Sequence, residues 1–415
     1  MQPAERFTLG VNYWPRRKAM RFWADFDTAE VREEFSVIAE LGLHVVRIFL
    51  LWDDWQPAPD RVSTSRLDDL VAVADIADEL GMGLDITFFT GHMSGPNWAP
   101  GWLVGGDDRP GGRLVVTSHR YIDGGYRNPY LDATALTAQR LQLGEVIGVM
   151  AEHPAIWMWN LGNEPDLFGR PEDHRAGRAW VREMVEVVRR YDDRHPVTCG
   201  LHAESLIADV GFRPGEVFGE VDVAVMHAYP QYVDWGREPL DPAVVPFACA
   251  LTSTLAGRPV LMEEFGGCTA EPGASSFWWE WDIEGRRQRQ FLAAEEELAA
   301  HVETVLGNLV RTGATGAMLW CFADYDRALW DQPPCDTARH ERFFGLVRPD
   351  GTLKPHADVV RRFASTSPGV EVAPPWAALT DHRDEPLTEV VFYEDPTGHV
   401  SRLFQDFAEA LENER

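Results

Sequence analysis

Short apolar runs alternate with amphipathic helical stretches eight times along the chain, and this rhythm restricts the fold more than any other feature. The runs lie at 7–12, 44–50, 83–89, 155–161, 197–201, 221–227, 259–264 and 316–322. Asp27, with Glu30 three residues on, resembles a capping box that opens a helix with Val31, Phe35, Ile38 and Ala39 on its apolar face. Leu67, Leu70, Val71, Ala74 and Ala77 form the stripe of the next helix, which Gly81 ends. Further helices are predicted over about 132–152, 176–190 and 243–256, and a long one over about 286–311. Strand–helix alternation requires right-handed crossovers and a parallel sheet. A doubly wound sheet would carry a Gly-rich turn after the first strand, where this chain has Tyr13-Trp14-Pro15. The expected fold class is therefore α/β, a closed (β/α)8 TIM barrel.

Three connections are too long for simple turns: 91–131, 265–283 and 323–354. All follow strand ends on the face where such barrels carry function. After about residue 365 the pattern breaks at Ser-Pro-Gly and Ala-Pro-Pro-Trp. The expected organisation is a catalytic barrel over 1–365 and a C-terminal extension over 366–415, with a strand at 389–393 and a polar helix at 401–411. That extension has two places to pack, the barrel or a partner subunit of a homo-oligomer, and the sequence does not choose.

Composition excludes several functions. The 415 residues carry 38 Lys+Arg against 66 Asp+Glu, a formal charge of −28, which repels nucleic acid and anionic membrane. No run reaches the ~18 apolar residues of a membrane span. The first ten residues have charges at Glu5 and Arg6 and no apolar core, unlike a secretory signal. Five scattered cysteines fit buried thiols in a reducing compartment, so the expected location is cytoplasmic. No cofactor or metal is called for: a metal-dependent barrel hydrolase would want a His-x-His near the first strand, and none of the 13 His forms one.

Chemistry concentrates at two strand ends. Trp157-Met158-Trp159-Asn160-Leu161-Gly162-Asn163-Glu164-Pro165 puts Asn163 and Glu164 beyond the fourth strand, and Glu263-Glu264 ends the seventh before Phe265-Gly266-Gly267. Two carboxylates across one barrel mouth suit glycosidic cleavage, one protonating the leaving oxygen and the other attacking the anomeric carbon. On strand alternation, Glu263 points the opposite way from Glu264, toward the helices.

These residues resemble glycoside hydrolase clan A, most closely family 5. The resemblance implies Glu164 as acid/base and Glu264 as nucleophile. It extends to Arg47 after Val45-Val46, His92, His227 and Tyr229 in His227-Ala228-Tyr229, and Trp320 after Leu319. In that frame Arg47 and Tyr229 hold Glu264, Asn163 binds the sugar 2-hydroxyl and Trp320 floors the sugar site. Repulsion from Glu264 should raise the Glu164 pKa, and a retaining enzyme would hold the two carboxyl groups about 5–5.5 Å apart. His44 and His195, at strand starts, are expected to be structural, and Trp157 and Trp159 to be core. Trp23, Trp52 and Trp55 could serve as core or as sugar platforms. Gly10-Val11-Asn12-Tyr13-Trp14-Pro15, with Ala19-Met20 and Trp23, further resembles a family 5 branch of intracellular β-mannosidases. That likeness implies small β-mannosides, such as mannosyl-β-1,4-N-acetylglucosamine or manno-oligosaccharides. The alternatives are another clan A β-glycosidase (β-glucosidase, β-galactosidase or endo-β-glucanase/mannanase) and a non-catalytic sugar-binding barrel.

Overall fold

The computed structural model describes residues 6–283, 285–381 and 385–414. Residues 1–5, part of the N-terminal stretch read above for a leader, lie outside them. Eight parallel strands form one sheet: β1 (Thr8–Asn12), β2 (Val45–Leu51), β3 (Gly83–Thr90), β4 (Ile156–Asn163), β5 (Val197–Gly200), β6 (Ala224–His227), β7 (Val260–Phe265) and β8 (Gly316–Leu319). β1 pairs with both β2 and β8, and the β5–β6 seam closes through a His202–His227 bridge and the His227 N–H donating to the Leu201 carbonyl at 3.0 Å. The sheet is thus the predicted barrel. Helices α1 (Thr28–Glu40), α2 (Thr64–Glu79), α3 (Ala133–Met150), α4 (His174–Arg189), α5 (Pro214–Phe218), α6 (Val244–Ala256), α7 (Glu295–Arg311) and α8 (Pro355–Thr366) provide the crossovers and outer layer. Asp27 does cap α1, accepting from the Ala29 N–H at 2.9 Å. Strands buried on both faces explain the unbroken apolar runs. Among the described residues no helix is long and apolar enough to cross a membrane.

Two expected elements differ. Residues 286–292 are not the start of a long helix: Phe277–Ile283 and Arg286–Leu292 form an antiparallel ribbon, and α7 begins at Glu295. Gly285, at φ +75°, makes the reversal, and the aromatic- and Gln-rich flanks satisfy a two-residue period better than a helical one. Glu389–Phe392 is a helical turn, not a strand, because Thr388 caps it by accepting from the Val391 N–H. The last helix, α9 (Pro396–Asn413), lies against the chain's own barrel. Phe404 stacks edge-on between Trp235 and Phe247 at 4.9 and 5.4 Å, and Arg237 pairs with Glu412 at 2.6 Å.

The loops after β7 and β8 are tied by one buried cation. Lys354 donates to Thr269 Oγ1 and Asp324 Oδ1, both at 2.7 Å, and to the Phe343 carbonyl at 3.0 Å. All five cysteines are buried and unpaired. Trp23, Trp52 and Trp55 are fully buried, so they are core rather than sugar platforms.

At the opposite rim, Asp192 accepts from the Trp159 indole at 2.8 Å, from the Arg194 N–H at 2.9 Å and from His195 Nδ1 at 2.6 Å. His195 is therefore structural, as its position suggests. Burial works to raise the Asp192 pKa, but these hydrogen bonds outweigh it and hold the carboxyl at about 2. With the folded pKa below the unfolded one, the stabilisation is complete above pH ~4 and is lost as the pH falls through 2. We predict that Asp192→Ala lowers stability by about 2–4 kcal/mol near neutrality. Urea titrations from pH 7 to pH 2 should show the gap to wild type closing only at the acid end.

Candidate active site

The C-terminal ends of the strands bring together side chains separated by up to 273 residues in sequence (Arg47 to Trp320). Arg47 rises from β2, His92 follows β3, Asn163 and Glu164 end β4, His227 ends β6, Glu264 lies in β7 and Trp320 follows β8. Glu164 has φ +48° and ψ +56°, a left-handed backbone uncommon outside glycine, and Pro165 at once begins a short helix. That turn directs the Glu164 carboxylate back over the barrel mouth.

Glu164 and Glu264 face one another across His227. Its Nδ1 lies 3.0 Å from Glu164 Oε1 and 3.4 Å from Glu264 Oε1. Oxygen atoms from the two carboxylates and an imidazole nitrogen all fall within 4.8 Å of one another. Tyr229 donates to Glu264 Oε2 at 2.8 Å, and Arg47 Nη1 donates to Glu264 Oε1 at 2.5 Å. Arg47 Nη2 reaches Asn163 Oδ1 at 3.0 Å, while Asn163 Nδ2 donates to the His92 carbonyl at 2.9 Å. His92 Nε2 stands 3.6 Å from Glu164 Oε2, with Nδ1 held by Asn97 at 2.6 Å. Trp320 lies on the other side, its indole directed to Glu341 Oε2 at 3.4 Å.

Glu263 is the correction. Alternation along β7 would turn it toward the helices, yet it is fully buried inside the barrel beneath Glu264. The registers explain why: Met226 pairs with Met262 but His227 with Glu264, and Met262 pairs with Ala317 but Phe265 with Leu319. One extra residue on β7 makes a bulge, and a bulge lets neighbouring side chains share a face. Glu263 then accepts from Asn160 Nδ2 at 3.0 and 3.1 Å and meets His227 Nε2 at 2.9 Å and Arg47 Nη2 at 3.4 Å. Gly200 on β5 makes room for this pair, since a Cβ there would lie 2.9 Å from both Arg47 Nη2 and Glu263 Oε2. Deeper still, burial and the Glu263 charge push Asp85 well above the usual carboxylate range against the pull of Arg47.

The electrostatics also depart from expectation. Mutual repulsion alone would raise the pKa of Glu164. Burial does act that way, but His202, His227 and His92 more than cancel it, and Glu164 is held below its usual range. Burial and the Glu164 charge raise Glu264, against His227, Arg47 and Tyr229. Burial would lower His227, yet the carboxylates of Glu264, Glu164 and Glu263 lift it to about 10. The geometry agrees: each ring nitrogen faces a carboxylate, the arrangement of an imidazolium donating from both sides. His92, whose burial and Arg113 outweigh Glu164, falls to about 4 and is neutral at pH 7.

These groups open into a cavity of about 330 Å³, which Ser94, Arg113, His202, Glu204, Tyr232, His340, Glu341 and Phe344 also line. None of these was singled out in the sequence. His202 had a usable signal, since it directly follows the fifth strand; the others come from long loops whose folding no local pattern gives. Among the described residues, Glu164, His227 and Glu264 alone have the grouping of a metal site. Arg47 and Tyr229 already engage both Glu264 oxygens, so a divalent cation would have to sit beside a guanidinium.

Similar proteins agree with this architecture. A family model described as "Glycosyl hydrolases family 2, TIM barrel domain" matches residues 115–366, more than half of the chain. Mannan endo-1,4-beta-mannosidase A of Hypocrea jecorina is 25% identical over 273 residues, which span 60% of this chain and only 60% of that relative's length. The crystal structure of a GH5_18 protein from Bifidobacterium longum subsp. infantis superposes with a TM-score of 0.69 at 23% identity, covering 92% of this chain and 85% of the other. A GH5_18 variant from Streptomyces cattleya, in complex with Manβ1-4GlcNAc, gives a TM-score of 0.73 at 22% identity and covers 98% and 92%. The solved relatives carry a family 5 label and the family model a family 2 label, and the barrel is common to both. With this match over more than half of its length, the chain belongs to the TIM-barrel glycosyl hydrolase family that the model describes.

Proposed function

We propose that the protein is a retaining β-mannosidase that cleaves small oligosaccharides, with Glu164 as acid/base and Glu264 as nucleophile. The observation that carries the mechanism is that one oxygen of each carboxylate lies within 4.8 Å of the other, a close approach of the kind a retaining pair makes. Glu264, not Glu263, is the nucleophile in this reading, because Glu264 lines the cavity while both Glu263 oxygens are covered by Asn160 and His227. Glu264 attacks the anomeric carbon as Glu164 protonates the departing oxygen, and the resulting ester is hydrolysed by water that Glu164 deprotonates. The proton for Glu164 is held on His227 Nδ1, 3.0 Å away, and passes across that hydrogen bond as the leaving oxygen gains charge. Asn163, gripped by Arg47 and the His92 carbonyl, keeps one N–H for the sugar 2-hydroxyl. Trp320 supplies an apolar floor.

The choice of β-mannoside rests on the mannan-cleaving relative and on the Manβ1-4GlcNAc bound by the Streptomyces cattleya variant. Three ordered loops around the cavity favour a short substrate over a polymer. A cytoplasmic location, in keeping with five buried and unpaired thiols, would restrict the enzyme to imported oligosaccharides.

Glu264→Ala should lower kcat by at least ~10³-fold, about 4 kcal/mol of barrier. Azide or formate should restore turnover there and fail to restore it in Glu263→Ala. Among aryl β-glycosides, the mannoside should react faster than the glucoside and galactoside, and NMR should find the β-anomer first. Aryl β-mannoside turnover clearly slower than the other two would remove the substrate assignment while leaving the carboxylate roles standing. Glu263→Gln removes one of the carboxylates that keep the proton on His227. We expect the alkaline limb of its kcat/KM profile to move to lower pH by about one unit or more, and an unmoved limb would argue against this proton store.

A further inference from the structure

The catalytic cavity does not end at the paired glutamates. Gly95, Arg113 and His340 border both it and a second cavity of about 260 Å³, so the two adjoin. Their linings differ sharply in charge. Four glutamates border the first (Glu164, Glu204, Glu264 and Glu341), whereas among the described residues no Asp or Glu borders the second, where Arg113, shared with the first, is joined by Arg286. In a chain with 66 acidic residues against 38 basic ones, a lining whose described residues include two guanidinium groups and no carboxylate calls for an explanation.

Among the described residues neither arginine has a carboxylate partner. Arg113 donates to the Pro110 carbonyl at 3.1 Å, and neither it nor Arg286 forms an ion pair among the described residues. Consecutive glycines hold them together. Gly111 and Gly112 both adopt left-handed φ, at +64° and +66°, where other residues are disfavoured. A Cβ on Gly111 would run into the Arg113 guanidinium, and one on Gly112 would lie 3.3 Å from Arg286 Nη1. Two further polar atoms near the junction have no partner among the described residues: Ser94 Oγ, in a residue 8% exposed, and His340 Nδ1.

Position identifies which part of the substrate reaches this chamber. Arg113 borders the first cavity together with His92, His202 and Glu164, and its charge adds to the burial that lowers both imidazoles, so it stands on the acid/base side. Glu164 protonates the departing oxygen, and the leaving group therefore extends toward Arg113. Trp281 of the ribbon supplies an apolar wall beside the guanidinium groups, as a sugar ring bearing a charged substituent would need.

Resting on the β-mannosidase reading, we propose that the second cavity is a leaving-group subsite for a sugar with an anionic substituent, a carboxylate or a phosphate, bound by Arg113 and Arg286. A planar guanidinium grips either anion through paired N–H groups. The acidic surface elsewhere repels anions, so selectivity must come from this local pair.

The test compares mannosyl-β-1,4-glucuronate with mannosyl-β-1,4-glucose, which differ only in the charged group, and adds the 6-phosphate of the latter to separate carboxylate from phosphate. The anionic substrate should have a kcat/KM about tenfold or more above the neutral one. Raised salt should shrink this ratio, and Arg113→Gln with Arg286→Gln should bring it to about one. A ratio at or below one in the wild-type enzyme, or one that the double variant leaves unchanged, overturns the proposal. If no β-mannoside, aryl or disaccharide, is turned over, the mannosidase reading is what fails. The subsite is then read by NMR titration with free glucuronate and glucose. Binding of glucuronate alone, lost in the double variant, supports the subsite, and equal or absent binding of the two removes it.

Discussion

A guanidinium sealed from water at the centre of the barrel mouth is the constraint on which the site depends. Arg47 is fully buried, and a cation there persists only if anions and acceptors surround it. The fold supplies Glu264 and Glu263 from β7, Asn163 from β4, Thr87 from β3 and Asn12 from β1. Five strands are thereby fixed to one planar group whose geometry tolerates little displacement. Glu264, the nucleophile proposed above, is positioned as a consequence of satisfying Arg47, so the stability of the barrel mouth and the arrangement of the site have the same origin.

His227 extends that network toward the acid/base. It connects Glu263 below, Glu264 beside it and Glu164 across the cavity, and this joins the fixed charge of Arg47 to the group that the proposed mechanism has both give and take a proton. Such coupled groups titrate as a set, and no member has a proton affinity of its own. A glutamate surrounded by imidazoles is ionised at rest, which suits the step in which it activates water. For the preceding step it receives the proton that the neighbouring ring carries.

Much of this was legible from residue order. Eight strand-forming runs announced the barrel, and Asn163-Glu164, Glu264, Arg47, His92, His227, Tyr229 and Trp320 all reach one cavity or its immediate supports. What alternation could not show was the bulge in β7, because an extra residue is visible only against the neighbouring strands. The sign of the Glu164 shift was missed for a related reason. Counting only the two carboxylates omits His202 and His92, which approach from separate loops. The ribbon at Phe277–Leu292 was hidden by its charged second strand, whose arginines suit an exposed helix equally well until a turn at Gly285 brings the two halves together.

The buried ammonium of Lys354 has a consequence for how ligands come and go. It fastens Thr269, Asp324 and Phe343, and with them the bases of the loops that carry Trp281, His340 and Glu341 to the rim. Walls anchored from beneath in this way share one fastening, so drawing either loop aside would strip hydrogen bonds from an ammonium sealed away from water.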